Sequence, residues 1–313
     1  MVKDDRMILV TGATGFVGRH LCETLEREGY KVKKLSLSIQ KDNFELFDKE
    51  SKKNFLDLVK EAACVIHLAA RVHILKETEE DPLEQYLLVN TKLTSWLAEE
   101  SLKAGVKKFI FMSSMAVERQ TLKDMDRTAD ALDYYGFSKL RAEQILMSLN
   151  KKEKTKFIIL RTPLIYGPYV KANFLALLNL INKSLPLPLS LIKNRRSLLY
   201  IGNLVNAILT IIQKDVIKKE IFRIADREYP STPSLIRMLS KQMGKKVFLY
   251  PAPLYLLKWC AILFHKKNAF KSLTENLEIN NSDMREEFNW VPPYSMEEGL
   301  KKTAEWYKSD SHS

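Results

Sequence analysis

An α/β fold with a doubly wound parallel sheet is predicted by three features of this sequence. Short apolar runs alternate with helix-length segments, and the runs cover 7–12, 30–35, 64–69, 108–113, 156–161 and 221–225. The segment after the first run places Val17, Leu21 and Leu25 on one helical face. That segment ends at Gly29, and a later one ends in the same way at Gly105, as helices often do. Because strands that alternate with helices pair in parallel through right-handed crossovers, one sheet covered by helices on both faces is expected.

A glycine-rich turn joins the first predicted strand to the first predicted helix. Gly12, Gly15 and Gly18 lie within MILVTGATGFVGRHL. Glycine allows the backbone to turn tightly, to approach a pyrophosphate and to pack the helix closely against the strand. The N–H groups at the helix N-terminus are then available to phosphate oxygens. Because the turn opens a βα array, it predicts a dinucleotide-binding site.

Composition argues against several other classes of site. The chain has 313 residues and a net charge of +12, but no run of five basic residues, which favours a solvated surface over nucleic-acid binding. Cys22, Cys64 and Cys260 lie in apolar stretches and are predicted to be reduced core thiols of a cytoplasmic protein. The five histidines are dispersed, so no metal site is predicted.

No apolar run reaches ~18 residues, so no transmembrane segment is expected. The apolar stretch 254–264 predicts a buried or substrate-lining helix rather than a membrane-surface anchor.

The composition of the sequence changes after about residue 163, where prolines become frequent. Irregular loops are therefore expected there, in a second and smaller domain. We predict a dinucleotide-binding domain over 1–163 plus about 197–226. A substrate-binding domain is predicted over about 164–196 plus 227–305, with a frayed tail at 306–313.

The glycine spacing G-x-x-G-x-x-G, with Thr11 before it, resembles that of the extended short-chain dehydrogenases/reductases, the NAD-dependent epimerase/dehydratase family. The segments HLAAR, LLVNTKLT, FMSSMAVE, YYGFSK and RTPLIYGP follow in the order of that family, over roughly residues 6–305. The resemblance implies a Rossmann-type domain followed by a smaller substrate-binding domain. HLAARVHIL and NRRSLLYIGNLVNAI are also similar to a bacterial branch. That branch holds UDP-hexose 4-epimerase-like proteins and 4-reductases of UDP-4-keto-6-deoxy-N-acetylhexosamines, which serve surface polysaccharide synthesis.

Tyr135 and Lys139 are four residues apart, which places them on one face of a helix. The spacing alone proves nothing, since Tyr30 and Lys34 share it on a predicted strand. A phenol has an ordinary pKa near ~10, and a neighbouring ammonium would lower that pKa toward the range of a useful base. The resemblance assigns catalysis to Ser114, Tyr135 and Lys139. It implies that Ser114 also hydrogen-bonds the substrate oxygen and that Lys139 holds the cofactor ribose.

The cofactor residues that the resemblance implies begin in the glycine turn and end after the fifth strand. They are Gly12, Thr14, Gly15, Phe16, Val17, Gly18, Ser36, Leu68, Ala69, Ala70, Asn90, Tyr135, Lys139 and Pro163. Ser36 stands where relatives that prefer NAD carry an aspartate for the ribose 2′-hydroxyl. Ser36 with Lys33 and Lys34 favours NADP(H), with NAD(H) as the alternative if these lysines are only solvated strand residues.

The residues after Ser114 bear on the reaction. Sugar 4,6-dehydratases of this family carry an aspartate and a glutamate there, whereas this chain has Met115 and Ala116, which cannot transfer protons. Dehydration is therefore disfavoured. A UDP-4-keto-6-deoxy-hexosamine 4-reductase is favoured because of the predicted NADP(H), and a UDP-hexose 4-epimerase is the alternative. A non-catalytic cofactor-binding regulator is a distant third, because Tyr135 and Lys139 are both present.

Two residues of the second domain are predicted to hold the UDP-sugar. By resemblance Asn173 and Arg196 meet the diphosphate, and the planar guanidinium of arginine suits this role because it bonds phosphate oxygens in pairs. A surface basic patch is the alternative interpretation of Arg196. The resemblance also implies a homodimer that forms through the helices around 90–105 and 134–148.

Overall fold

A six-stranded parallel sheet organises the first part of the molecule. The computed structural model describes residues 7–35, 56–72, 81–119, 131–150, 155–263 and 267–310. The strands are β1 (Met7–Thr11), β2 (Val32–Leu35), β3 (Ala62–His67), β4 (Lys108–Ser114), β5 (Lys156–Thr162) and β8 (Ile221–Arg223). Their order is β2-β1-β3-β4-β5-β8, and every neighbouring pair is parallel. The predicted doubly wound, Rossmann-type sheet is thus confirmed.

Twelve described helices accompany these strands. They are α1 (Phe16–Arg27), α2 (56–61), α3 (Pro82–Leu87), α4 (Leu93–Ala104), α5 (Ala131–Leu149), α6 (Ala172–Asn182), α7 (Ile201–Gln213), α8 (Thr232–Met243), α9 (Leu254–Leu263), α10 (Lys267–Thr274), α11 (Ser282–Phe288) and α12 (Met296–Asp310). A π-helical turn, Leu88–Lys92, joins α3 to α4, and a 3₁₀ turn, Met115–Arg119, follows β4. Two short strands, β6 (Leu164–Tyr166) and β7 (Leu198–Tyr200), pair in parallel in a separate sheet.

The core of the large sheet consists of aromatic and aliphatic side chains that the helices cover. Phe109 on β4 and Phe157 on β5 are fully buried, and their ring centroids lie 5.4 Å apart. Leu97 of α4 and Leu146 of α5 belong to the same buried cluster. Burying a large apolar side chain contributes about 1.5–3 kcal/mol, so these positions fix α4 and α5 against the sheet. The position of α5 matters because it carries Tyr135 and Lys139.

The described chain divides into two compact units. The first holds residues up to Thr162 with Ile208–Arg223 and Ser282–Trp290, and the second holds Pro163–Ala207, Ile224–Asn281 and the chain from Val291 onward. The sequence analysis grouped 282–290 with the substrate-binding domain and 197–207 with the dinucleotide-binding domain. The predicted tail is corrected by α12, which continues to Asp310 because Tyr307 is buried and its hydroxyl donates a hydrogen bond to Asn179 Oδ1 at 2.7 Å.

The order of the strands creates a crevice at one edge of the first unit. The chain passes from β1 to β2 on one side of β1, and β3 then lies on the other side. In open parallel sheets, ligands bind beyond the carboxyl ends of the strands at such a reversal. The residues at those ends are Gly12 after β1 and Leu68 after β3.

The apolar stretch 254–264, predicted to be a buried or substrate-lining helix, forms a helix that is largely exposed. Helix α9 has only Ala261 in the buried class, and Trp259 is 73% exposed. Cys260 on the same helix is exposed, so its prediction as a core thiol is wrong, whereas Cys22 and Cys64 are buried as expected. In the part of the chain that the structure describes, no helix combines the length and apolar character needed to cross a membrane.

Candidate active site

The glycine turn is held in a conformation that other residues would strain. Gly12 has φ +71°, a left-handed value that favours glycine. A Cβ atom on Gly12 would lie 2.7 Å from the backbone nitrogen of Ala69, and one on Gly18 would overlap the carbonyl oxygen of Gly12. The turn therefore packs directly on the chain that follows β3, and α1 packs directly on the turn.

The outer side of this turn is open and suited to an anion. Thr14 and Gly15 are exposed, and among the described residues the atom that a Cβ on Gly15 would meet is the carbonyl oxygen of Gly12, at 3.2 Å. Gly15 is the N-cap of α1, no side chain caps the helix there, and its first turn holds no acidic residue. The free N–H groups and the positive end of the helix dipole thus face a space that a side chain at Gly15 would fill. This cradle fits the pyrophosphate of a dinucleotide.

A buried histidine ties the ends of β1 and β3 to α4. Nδ1 of His67 lies 2.6 Å from Thr11 Oγ1, and Nε2 lies 3.0 Å from Thr94 Oγ1. The hydroxyl of Thr94 donates to the carbonyl of Asn90, so it must accept from Nε2–H, and Nδ1 then accepts from the hydroxyl of Thr11. Burial lowers the pKa of His67 to about 3, with a further lowering from the charge of Lys139. His67 is therefore neutral and holds the base of the cradle.

Asn90 joins the loop after β3 to the catalytic helix. Its side chain is fully buried, with Nδ2 donating to Ser138 Oγ at 2.9 Å and to the carbonyl of Arg71 at 3.0 Å. Its Oδ1 accepts from the backbone N–H of Arg71 at 2.8 Å. Asn90 lies in the π-helical turn, and such turns occur often at functional sites. The contact with Ser138 places Asn90 beside the residue that precedes Lys139.

The structure brings the predicted serine and tyrosine together. Ser114 ends β4, and its side chain hydrogen-bonds that of Tyr135 near the start of α5. The Ser114 hydroxyl also accepts from the backbone N–H of Ala116 at 3.2 Å, which holds the 3₁₀ turn in place. Tyr135 as a residue is half-buried, but desolvation of its hydroxyl raises its pKa to about 12, and the Ser114 hydrogen bond acts in the opposite direction.

Lys139 lies one turn beyond Tyr135 and is almost fully buried, with 1% of its surface exposed. Its Nζ donates to the carbonyl of Met112 at 2.8 Å and lies 4.4 Å from the ring centroid of Phe111. Burial lowers the pKa of Lys139 to about 7, while the nearby carboxylate of Glu143 raises it. The expected lowering of the tyrosine pKa is not seen in this arrangement, because burial of the phenol outweighs the effects that favour its charged form.

Glu143 is a residue that the sequence analysis missed. It stands one further turn along α5, is 1% exposed, and accepts a hydrogen bond from Ser113 Oγ at 2.5 Å. The guanidinium of Arg161 on β5 binds both its carboxylate oxygens, at 3.1 Å through Nε and 2.6 Å through Nη2. Arg161 also bonds Glu118, which in turn pairs with Arg223 on β8. The i+4 spacing after Lys139 was the available signal, but burial of a glutamate cannot be read from spacing.

The remaining predicted residues are Ser36, Pro163, Asn173 and Arg196. Ser36 lies outside the described residues, and Lys34, two residues before it in sequence, pairs with Glu26 at 2.8 Å. Pro163, Asn173 and Arg196 belong to the second unit.

Two of these residues have well-defined surroundings within the second unit. Asn173 is exposed in the first turn of α6. A guanidinium nitrogen of Arg196 donates to the carbonyl of Glu275 at 3.0 Å. Within the described ranges, no group of three or more histidine, cysteine, aspartate or glutamate residues is arranged to hold a metal ion.

A dinucleotide cradle beside a Ser–Tyr–Lys cluster defines a nicotinamide-dependent oxidoreductase of the short-chain type. The model of the family "NAD dependent epimerase/dehydratase" matches residues 8–225. The chain belongs to this family.

Three relatives match nearly the whole length of the chain. A UDP-glucose 4-epimerase of Vibrio cholerae is 36% identical over 315 residues, which cover 97% of this chain and 96% of that protein. A solved UDP-glucose 4-epimerase of Thermotoga maritima, bound to UDP-glucose, superposes with a TM-score of 0.72 at 22% identity, covering 97% of this chain and 99% of that one. A UDP-glucuronic acid 4-epimerase of Bacillus cereus, bound to NAD, gives a TM-score of 0.71 at 20% identity with the same coverage. These two structures share the fold.

Proposed function

We propose that this protein oxidises and reduces C4 of a UDP-sugar, and that it is a UDP-hexose 4-epimerase acting on UDP-glucose or UDP-N-acetylglucosamine. The observation that carries the proposal is the Ser114–Tyr135 hydrogen bond next to the glycine cradle, with Lys139 buried one helical turn away. The full-length relationship to a UDP-glucose 4-epimerase supports the choice of reaction.

Tyr135 is the group that exchanges a proton with the C4 oxygen. A phenol with a pKa of about 12 keeps its proton at neutral pH, so Tyr135 is ready to protonate the oxygen of a 4-keto sugar as it is reduced. Microscopic reversibility requires the same phenol, as phenolate, to take the proton of the C4 hydroxyl during oxidation. Ser114 donates a hydrogen bond that stabilises the phenolate or the sugar oxygen.

Lys139 is the cation that would favour the phenolate of Tyr135 when its amine is charged, against the burial that raises the Tyr135 pKa to about 12. With a pKa of about 7, its amine lies close to the balance between the charged and neutral forms. Glu143 favours the charged form, and the bidentate contact with Arg161 fixes that carboxylate. We assign Glu143 a positioning role through Lys139.

A nicotinamide dinucleotide is the cofactor that this site fits. When bound, its nicotinamide ring supplies the acceptor and the donor of the hydride. The residues that would hold it are those of the glycine turn, those at the ends of β1 and β3, Asn90, Lys139 and Pro163. NAD(H) agrees with the family, while Lys33 and Ser36 remain the argument for NADP(H). Because Lys34 is already paired with Glu26, it contributes less to that argument than the sequence suggested.

The second candidate is the UDP-4-keto-6-deoxy-hexosamine 4-reductase of surface polysaccharide synthesis. It is favoured by the serine at position 36, where an aspartate would repel the 2′-phosphate of NADPH. The same Ser114, Tyr135 and Lys139 would serve it, since reduction is one half of the epimerase reaction. In both cases Asn173 and Arg196 would hold the diphosphate of the substrate.

We also propose that two copies associate through α4 and α5, which light scattering coupled to gel filtration would detect.

The reaction is tested by incubating the purified protein with UDP-glucose, UDP-N-acetylglucosamine and a UDP-4-keto-6-deoxy sugar. Formation of the C4 epimer without added cofactor is expected for the proposed epimerase. Consumption of NADPH with the keto sugar alone would contradict it and establish the reductase. Titration of both cofactors resolves the remaining choice, since at least about tenfold tighter binding of NAD(H) would rule out the preference for NADP(H).

Replacement of Arg196 by Ala tests the substrate assignment separately. The variant is expected to bind UDP-sugar more weakly while its affinity for the cofactor is unchanged. Equal loss of both affinities would indicate that Arg196 supports the fold through Glu275 rather than the substrate.

A further inference from the structure

Helix α9 presents an apolar surface to solvent. Its ten residues read LYLLKWCAIL, and its largest side chains point away from the molecule. Trp259 is 73% exposed, Tyr255 70% and Leu263 63%. Leu256 and Ile262 are also exposed. Single exposed apolar residues are common, but a whole helix of them usually marks an interaction site.

Neighbouring residues enlarge this surface on the approach to α9. Phe248 is 67% exposed and Tyr250 37% exposed, and their rings stack with centroids 6.4 Å apart. The backbone of this segment is fixed by hydrogen bonds to Leu187 in both directions. We call residues 248–250 and 254–263 together the α9 surface.

The sequence segment that contains the α9 surface carries charge of one sign only. Residues 229–274 contain eight lysines and arginines and not one aspartate or glutamate. This segment of the sequence thus carries +8 of the formal net charge of +12. Lys258 lies within α9 itself and is exposed, while Lys245 and Lys246 precede the surface.

The combination of residue types identifies the partner. Tryptophan and tyrosine concentrate where a bilayer meets water, and lysines beside them attract anionic headgroups at about 1 kcal/mol each. A helix of ten residues is about 15 Å long, half the ~30 Å of a bilayer core, so it would lie on the surface rather than span it. We propose that the α9 surface docks this protein on a bilayer that contains anionic phospholipid.

Self-association through the same surface is disfavoured by its charge. A symmetric contact would bring two segments of +8 together, whereas docking on an anionic bilayer neutralises them.

Co-sedimentation of the full chain with sucrose-loaded vesicles tests the proposal. The vesicles contain phosphatidylcholine with about one third phosphatidylglycerol, and pure phosphatidylcholine vesicles serve as the comparison. The protein is expected to pellet with the anionic vesicles at least about tenfold more strongly than with the neutral ones. Raising the salt from about 50 to about 500 mM should weaken this binding, because it screens the lysines.

Two variants and two matched controls locate the contact. Trp259→Ala combined with Tyr255→Ala is expected to reduce vesicle binding at least about tenfold, and Lys258→Glu at least about fivefold. Val216→Ala removes apolar surface from a residue that is 70% exposed elsewhere, and Lys301→Glu makes the same charge change on α12. Both controls should bind like the wild type. Circular dichroism and cofactor binding establish that every variant is folded.

Failure of the wild type to pellet with anionic vesicles would overturn the proposal, as would unchanged binding of both α9 variants. The α9 surface would be assigned to self-association instead if the wild type did not bind vesicles but formed a dimer, and if the Trp259→Ala/Tyr255→Ala variant were a monomer. None of these outcomes depends on the reaction, because vesicle binding is measured without substrate.

Discussion

Lys139→Met should make the protein more stable and inactive, because the buried ammonium opposes folding. Lowering the pKa of this amine from 10.5 to about 7 corresponds to about 5 kcal/mol against the charged form in the folded state. Methionine has a similar length without the charge, and it fills irregular apolar space well. The variant loses the hydrogen bond to the Met112 carbonyl, which costs about 1–3 kcal/mol if that oxygen stays unpaired. The expected balance is a gain of about 2 kcal/mol in the free energy of unfolding.

The dependence on pH isolates the titration of Lys139. Between pH 7 and 10.5 the unfolded chain binds one more proton than the folded chain, so the stability of the wild type rises with pH by up to about 1.4 kcal/mol per pH unit. The variant lacks this rise. Urea unfolding between pH 7 and 9 is the suitable assay, since Cys22 and Cys64, whose pKa values are raised by burial, are present in both proteins and cancel in the difference between them. From pH 7 to 9 the advantage of the variant should shrink by about 2 kcal/mol.

Two results would refute this reasoning. One is a Lys139→Met variant that is less stable than the wild type at pH 7, which would show that the hydrogen bond and packing outweigh the buried charge. The other is an identical pH slope in both proteins, which would show that the amine titrates normally in the fold.

Three further predictions concern the supports of the site. Glu143→Gln should lower the free energy of unfolding by about 2 kcal/mol, because the largely buried Arg161 guanidinium loses a carboxylate that it binds through two nitrogens and keeps its contact with the more exposed Glu118. Glu118→Gln should lower it by less than about 1 kcal/mol, and urea unfolding measures both. Gly18→Ala should lower the Tm sharply, because the added methyl group would overlap the glycine turn. Gly15→Ala should keep a Tm near that of the wild type but bind NAD(H) about tenfold more weakly, which calorimetric titration would measure. The pKa of His67 is about 3 in the folded chain and 6.5 in the unfolded chain, so its contribution to the free energy of unfolding falls as the pH drops below about 6.5. His67→Gln should therefore reduce the slope of the free energy of unfolding against pH in that range by about 1.4 kcal/mol per pH unit, as urea unfolding would measure.

The sheet and the glycine cradle could be predicted from sequence because local patterns determine them. Alternation of apolar runs and helices fixes a parallel sheet, and glycine spacing at the first junction records a turn that other residues cannot adopt. The joint role of Ser114 and Tyr135 was implied by the resemblance to the family, and the structure brings their side chains together from the end of β4 and from near the start of α5.

Burial and exposure of particular side chains could not be predicted in this way. Glu143 looks like any helix-surface glutamate in sequence, and only the packing of α5 on β4 and β5 shows that Arg161 and Ser113 enclose it. At α9 the sequence predicted burial, whereas the helix is exposed. Its apolar composition predicts burial, but burial requires a partner surface, and the fold leaves Tyr255 and Trp259 exposed.

The central claim is that Tyr135 exchanges the proton at C4 of a UDP-sugar, and replacement of adjacent tyrosines tests it most directly. Tyr135→Phe removes only the hydroxyl, and Tyr134→Phe makes the same change one residue earlier on α5. The rate of UDP-hexose epimerisation should fall at least about a thousandfold in Tyr135→Phe, with unchanged affinity for NAD(H), and remain near wild type in Tyr134→Phe. A Tyr135→Phe variant that retains activity within a few fold of wild type would contradict the assignment.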